Sequence, residues 1–303
     1  MTILNIEADE ILYRACFAVE RKAYIITTNS GSQRDLGTKY TKTKIKKMMG
    51  SRDKVLNRDY TLEQYLVVEP VSRCLRIIKN TLVRLGKHGE LHLWLTSSDK
   101  SNFRFGVVKT EGPRGLGYKA GRPPRPVHYS EAREYLLRQS NCKEIFGYEA
   151  DDALCMYQNN NTIAVHIDKD INMVVGKHLN WVTMDFYDVP DGLGTVEINE
   201  KNKVIGRGLK FFYHQLLTGD ATDNILGIKG IGDKTAYVLL EGCVTEQECF
   251  DVVYGVYKNK YGVDDGTEIL NEMADLLWMV REDKMTGSNY LESKFQIYYG
   301  VYP

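Results

Sequence analysis

Thr162-Ile-Ala-Val-His-Ile-Asp-Lys-Asp170 opens as an apolar run and closes on two carboxylates. Its first six residues predict a short strand. Side chains two apart on extended chain point the same way, so Asp168 and Asp170 can reach one ion. Taken alone, a plain Asp-containing turn accounts for the stretch equally well. Upstream, Glu90-Leu-His-Leu-Trp-Leu-Thr96 predicts a buried strand running into Ser97-Ser-Asp99, and Thr2-Ile-Leu-Asn-Ile-Glu7 predicts another that ends at Glu7 and Asp9. Helical spacing separates them: from Glu10, with Ile11, Leu12, Ala15 and Cys16 on one side; over 61–85, with Leu62, Tyr65, Leu66, Val71, Leu75, Ile78, Leu82 and Leu85; from Ser130; and over Glu149–Tyr157. Strands alternating with helices predict an α/β fold, a mostly parallel sheet covered on both faces. Such sheets bind ligands at the carboxyl ends of their strands, and three of the strands read here end in acids.

Further out the pattern is more broken. Tyr24-Ile-Ile-Thr-Thr followed by Asn29-Ser-Gly-Ser predicts a strand and turn, and the lysine-rich run 38–54 a surface excursion. A strand is expected over Asn180–Met184, a helix over Gly208–Gly219, a glycine-punctuated helical pair over 223–242, and helices near 246–260 and 266–281. The expected division is a core over 1–205 and a helical C-terminal region over 206–303.

Composition excludes several classes. With 303 residues, 43% apolar and 26% charged, the chain reads as an ordinary globular protein of one or two domains. No apolar run approaches the ~20 residues that span a bilayer, so no membrane role is expected. The N-terminus has no basic segment and predicts a core strand, not a signal peptide. Six scattered cysteines without a CxxC pair argue for reduced thiols over a zinc site or disulfide framework. The six histidines lack ligand spacing, and His166 reads as a core residue. Net charge is zero, yet Lys and Arg crowd into 34–58 and 100–125 while acids cluster at 149–152, 168–170 and 220–223. A protein that grips phosphate on one surface and holds cations on another balances in this way.

The acid clusters carry the chemistry. Glu149-Ala-Asp-Asp152 begins a helix, with Glu149 and Asp152 on one face and Asp151 beside them. Capping and the helix dipole explain that cluster by itself slightly better than function does. Asp220-Ala-Thr-Asp223 puts two acids on one side of a helical turn. Gathered on one sheet edge, these groups repel each other unless cations neutralise them. Hard divalent ions, Mg²⁺ or Mn²⁺, are the natural partners. Two such ions about 4 Å apart support in-line displacement at phosphorus.

Gly227-Ile-Lys-Gly-Ile-Gly232-Asp-Lys-Thr-Ala236 fits a helix–hairpin–helix. Its glycines permit a tight turn whose amides near Gly230 and Gly232 can hold a phosphate, with Lys234 and Thr235 adding side-chain contacts. Between Asp99 and Glu149, cations and rings interleave: Lys100, Phe103, Arg104, Phe105, Lys109, Arg114, Tyr118, Lys119, Arg122, Arg125 and Tyr129. That mixture suits a single strand or an unstacked terminal base.

In this order the motifs resemble the flap endonuclease/5′→3′ exonuclease superfamily, particularly its bacteriophage members, up to about residue 245. They are Glu7–Arg14, Asp99–Arg104, Tyr118–Arg122, Glu149–Asp152, Asp168–Asp170, Gly219–Asn224 and the glycine hairpin. The resemblance implies a PIN-like α/β fold with a helical arch near 104–140. It puts Asp99, Glu149, Asp151 and Asp152 in a first metal cluster and Asp168, Asp170, Asp220 and Asp223 in a second. Lys119 matches the arch lysine that polarises the scissile phosphate, with Arg122 close by and Asp151 counted among the catalytic groups. Arg14 and Arg104 match phosphate contacts, and Lys100 and Tyr118 join them as expected DNA contacts. The family has Asp-Gly at the end of its first strand where this chain has Glu7-Ala8, so either Glu7 or Asp9 is the expected ligand there. The implied activity is hydrolysis of double-stranded or branched DNA at a 5′ end by two Mg²⁺ or Mn²⁺ ions, with K⁺ at the hairpin. An RNA–DNA hybrid is a further expected partner. The expected state is a monomer in the cytoplasm of an infected bacterium. The competing readings are a ribonuclease of PIN or primer-removing type and a non-catalytic DNA-binding module.

Overall fold

A computed structural model describes residues 2–28, 30–52, 60–107 and 117–295. Its first half runs β1 (Ile3–Glu7), α1 (Ala8–Phe17), β2 (Glu20–Thr28), β3 (Gln33–Gly37), α2 (Lys42–Arg52), β4 (Tyr60–Val68), α3 (Val71–Leu85), β5 (Glu90–Thr96) and α4 (Arg104–Val107). Then come α5 (Tyr129–Leu137), β6 (Cys142–Ile145), α6 (Ala150–Met156), β7 (Thr162–His166), a 3₁₀ turn (Asp170–Met173), β8 (Gly176–Asn180) and β9 (Asp185–Val189). The last part holds β10 (Thr195–Ile198), β11 (Val204–Arg207), α7 (Leu209–Thr218), β12 (Gly219–Asp220), β13 (Ile225–Leu226), α8 (Asp233–Glu241), α9 (Glu246–Tyr261), α10 (Val263–Leu277) and α11 (Gly287–Phe295).

The chain forms two compact units. One comprises 1–10, 84–123 and 140–303; the other 11–83 and 124–139. In the first, six strands are ordered β6-β5-β1-β7-β8-β9, and all neighbours are parallel except the β8–β9 pair. Every residue of β7 is buried, as expected for an inner strand with both faces covered. From β1 the chain builds outward through β5 and β6, then crosses to β7 and β8 on the other side. The carboxyl ends of β1 and β7 therefore flank a topological switch point, where a sheet of this type opens a crevice. The mostly parallel α/β sheet expected from the sequence is present.

Three local expectations give way. Residues 61–85 are not one helix: β4 pairs antiparallel with β2 from Glu20–Val68 to Thr28–Tyr60, and the helix starts only after Pro70. Thr61, Tyr65, Val67 and Val68 are good strand residues whose partner lies some forty positions upstream, beyond the reach of a local pattern. Asn180–Met184 is a turn. Asn180 Oδ1 accepts from the amides of Val182 and Thr183 at 3.0 and 3.1 Å, and Met184 turns the chain with φ +64°. Over 223–242 only the second helix, α8, exists; before it the short β12–β13 ladder pairs Asp220 with Ile225. The lysine run contains α2, which puts Ile45 into a small core with Tyr24 and Ile26 in the second unit. Residues 108–116 of the expected arch lie outside the described residues.

Candidate active site

β7 delivers Ile167 and Asp168 to the switch point, and the 3₁₀ turn adds Asp170. Asp168 Oδ1 accepts the Asp170 amide at 2.9 Å, which fixes this corner. Lys169 reaches back over it to Asp170 and Asp220, 2.7 Å from each, and Gln215 Nε2 donates to Asp170 at 2.6 Å. Asp220 in turn organises its own loop by accepting the Thr222 amide at 2.6 Å. At the start of α6, Glu149 and Asp152 cap each other's backbone reciprocally.

The segment 117–122 lies against these acids. Its backbone is held by Lys119 N to Asp223 O at 2.8 Å and by Asn224 Nδ2 to Gly117 O at 2.9 Å. Buried Tyr118 has its hydroxyl 2.8 Å from Glu149 Oε2 and 3.0 Å from Asp223 Oδ2. The Lys119 ammonium pairs with Glu149 and stands 3.6 Å from Asp223, and Arg122 also pairs with Asp223. Burial works against the charge of Lys119, but Glu149 and Asp223 outweigh it and hold its pKa above the usual range. Burial likewise opposes the Asp223 charge, and Lys119 and Arg122 overcome it, so Asp223 titrates below its ordinary value.

At the other acids burial outweighs the relief from nearby cations, Lys119 for Asp151 and Lys169 for Asp168 and Asp170. Burial, then the charges of Asp168 and Glu149, push Asp151 well above the carboxylate range. Asp168 is raised by burial, and Asp170 is pushed up to about 7 by burial and by Asp168. Asp151 Oδ1 is shielded from solvent and has no hydrogen-bond partner. Oxygen donors that repel one another around an unsatisfied buried atom suit a hard divalent cation. Among the described residues no three acidic, His or Cys side chains converge on one point ready to ligate, so the donor chemistry fits an ion while the coordination geometry is not preformed.

Other expected residues stand elsewhere. Asp99 is exposed and accepts the Ser101 amide at 2.9 Å in the turn after β5, beside exposed Lys100. Arg104, expected on phosphate, is fully buried: it grips Asp152 through two bonds of 2.6 and 2.9 Å and donates to the Leu276 and Trp278 carbonyls. Asp152 also accepts the Glu149 and Val280 amides, so its lone pairs serve the fold. A buried Arg–carboxylate fork of this kind contacts neither solvent nor a docked strand, which corrects the phosphate expectation for Arg104. Arg14 is exposed on α1, in the second unit. Glu7 accepts the Glu10 amide at 3.2 Å and so caps α1, and Asp9 Oδ2 accepts the Thr96 amide at 2.8 Å. His166 is buried, bonded to the Asp168 carbonyl at 2.8 Å, and pulled down to about pH 3 by burial and by His178.

At the glycine hairpin, Gly230 has φ +94° with open space where a Cβ would lie, and Gly232 caps α8. Gly232, Lys234 and Thr235 line a cleft of about 590 Å³ whose other wall is Asn202 and Lys203, from the β10–β11 turn. Sequence reasoning missed Lys203 and also Glu10, whose carboxylate accepts the Ile167 amide and the Trp181 indole, each at 2.8 Å. The available signal for Glu10 was its position one helical turn past a strand end.

No protein-family model matches the chain. It is 30% identical over 150 residues to DNA polymerase I of Deinococcus radiodurans and 32% identical over 173 residues to that of Caldicellulosiruptor bescii. These matches cover 46% and 52% of this chain but only 15% and 20% of the polymerases, so the chain spans about a fifth or less of these relatives' length. Among solved structures, the T5 D15 protein co-crystallised with metal ions superposes with a TM-score of 0.53 at 14% identity, covering 92% of this chain and 90% of that one. That likeness is one of fold. The chain is thus similar in fold to the T5 D15 protein and, over about half of its length, similar in sequence to a part of DNA polymerase I.

Proposed function

We propose that the chain is a divalent-metal-dependent 5′ nuclease that hydrolyses DNA phosphodiesters, as a 5′→3′ exonuclease, a flap endonuclease or both. The observation that carries this reading is the contact of the Lys119 ammonium with Glu149 and Asp223, together with the raised acids Asp151, Asp168 and Asp170. A lysine so held sits where a phosphate must come if that phosphate is to meet cations gathered by the acids.

Glu149, Asp151, Asp168 and Asp170 would hold the divalent ions, with Asp220 and Asp223 behind them. Such ions supply an activated water and neutralise charge on the phosphate oxygens. Lys119 and Arg122 place positive charge on the same phosphate, and the low-dielectric surroundings of Lys119 strengthen its effect. Tyr118 keeps the segment docked through Glu149 and Asp223. The amides near Gly230 and Gly232, with Lys234 and Thr235, grip a duplex phosphate without reading sequence.

Cleavage of a 5′-labelled flap duplex, beside a blunt duplex and matched RNA versions, tests this in Mg²⁺, Mn²⁺ or EDTA. Metal-dependent cutting of DNA that disappears in Asp151→Asn supports the proposal. Release of whole flaps identifies a flap endonuclease, and short products from the blunt end an exonuclease. Binding without cleavage in either metal would leave a non-catalytic DNA-binding module, and preferred cutting of RNA would transfer the site to a ribonuclease.

A further inference from the structure

The lysine-rich run has no part in the nuclease reading, yet it builds a defined surface in the second unit. Over 34–58 the sequence holds nine Lys and Arg against two Asp, in a chain whose charges cancel. β2, β3 and β4 form an antiparallel sheet, and α2 lies on one of its faces, anchored by Ile45 against Tyr24 and Ile26. Register sorts the charges between the two faces. Asp35 and Glu63 both stand opposite Ile25, on the face away from α2, where Asp35 accepts the Tyr65 hydroxyl at 2.7 Å. Arg34 stands opposite Ile26, and Lys22 lies two residues from Tyr24, so both exposed cations share the face that carries α2.

The cations of α2 work against the helix that carries them. Lys42 and Lys44 stand in its first turn, where the helix dipole disfavours positive charge and no acid offsets it. Lys42 and Lys46 are one turn apart and repel each other. Lys42, Lys44, Lys46 and Lys47 are all exposed, and none meets a carboxylate among the described residues. At about 100° per residue, Lys44 and Lys46 fall on opposite flanks of the Ile45 anchor and Lys47 on the crest. Lys39 and Lys44 both place their ammonium over the Tyr40 ring, at 5.7 and 5.5 Å. Charge held at a cost to the helix, and spread along a ridge instead of gathered in a pocket, matches a repeating polyanion better than a single phosphate. The exposed side chains of 41–47 are only Lys and Thr, without the Arg, Asn or Gln that read base edges.

We propose that the α2 face of the second unit is a duplex-binding surface in its own right. On it Lys42, Lys44, Lys46 and Lys47, with Lys22 and Arg34 on the same face, contact the phosphate backbone without reading sequence. The choice of DNA as the polyanion rests on the nuclease reading; the surface itself uses none of the acids. Each phosphate neutralised releases counterions, so affinity carried by such a face is steeply salt-dependent.

Binding of a fluorescently labelled duplex to the full chain in EDTA, followed across a salt series, tests this without cleavage. The combined variant Lys42→Gln, Lys44→Gln, Lys46→Gln and Lys47→Gln should bind roughly tenfold or more weakly at low salt. Its plot of log affinity against log salt should be shallower by about 2 to 3. A charge-matched variant, with the exposed Lys79, Lys87, Lys177 and Lys260 changed to Gln, should stay within about threefold of wild type, since charges away from the contact are screened. In wild-type protein, which needs no variant to fold, bound duplex should shield the four α2 lysines from acetylation, read by mass spectrometry, and leave Lys79 and Lys260 reactive. An unchanged slope in the α2 variant, equal losses in both variants, or α2 lysines that stay reactive under saturating duplex overturns the surface and leaves the nuclease reading to its cleavage assay. Wild-type protein that neither binds nor cuts DNA overturns both. Binding to anionic lipid vesicles that is lost with the α2 lysines, while DNA affinity stands, would transfer the face to a membrane.

Discussion

Lys119 holds φ +58°, a left-handed backbone that costs a non-glycine residue roughly 1–3 kcal/mol. The bond from its amide to the Asp223 carbonyl and the ion pairs of its ammonium over-determine that conformation. Strain held in this way positions a charge that small motions of the segment cannot withdraw. Lys119→Ala should therefore slow metal-dependent cleavage by roughly 10²-fold or more, while the Kd for a duplex in EDTA changes less than about threefold. A loss confined to Kd would make Lys119 a binding residue only.

Two elements show how the acidic motifs divide between fold and site. In α6, Asp151 and Asp152 are adjacent, yet Asp152 is wholly buried against Arg104 of α4 and Asp151 is the raised, unpartnered one. Removing one partner of a buried fork strands the other charge. Arg104→Met should lower the unfolding free energy by about 3–5 kcal/mol, measured by urea denaturation in EDTA. Stability near that of wild type, with weaker DNA binding alone, would restore Arg104 to a phosphate role. The glycines around α8 divide likewise. Gly219 has φ +67°, and an added Cβ would stand 2.3 Å from the Gly227 nitrogen, whereas Gly232 has φ −102° and open space. Gly219→Ala should destabilise the chain by more than about 2 kcal/mol. Gly232→Ala should stay within about 1 kcal/mol and weaken only duplex binding; comparable losses from both would mean that the hairpin turn is structural throughout.

Over the whole molecule the charges sum to zero, but the acid site is locally overcharged. Glu10 and Asp170, ordinarily at 4.5 and 3.8, both rise to about 7 when folded. In that window these two acids hold more protons in the folded chain than in the unfolded one, so their contribution to stability falls as pH rises from about 4 to about 7. Buried His166 and His178, pulled down to about 3 and about 4, act in the opposite direction over much of the same range. The share of Asp170 is therefore read by difference: in EDTA the thermal midpoint of Asp170→Asn relative to wild type should rise from pH 4 to pH 7, and saturating Mn²⁺ at pH 7 should stabilise the wild type by about 2.7 kcal/mol at a hundred times its Kd. A difference that does not change with pH would show Asp170 already neutralised within the chain.

How far the sequence reaches is set by range. Apolar runs ending in acids at Glu7, Thr96–Asp99 and Asp168 were enough to predict β1, β5 and β7 and the parallel α/β sheet, because an inner strand's pattern is local and its companions repeat it. The helix after Glu149 was equally legible, since its cap lies within four residues. Residues 61–68 were misread because apolar spacing at Leu62, Tyr65 and Leu66 fits a helix until β2 supplies hydrogen bonds from forty positions away. The division of labour among neighbouring acids is also non-local. Asp152 is taken by Arg104 and the Val280 amide, Asp9 by Thr96, and Glu10 by Ile167 and Trp181. The sequence by itself determined which strands carry acids to one edge of the sheet. Only the tertiary structure decided which acids stay free to meet a cation, because a carboxylate's role depends on the donors packed around it, and those come from distant strands and helices.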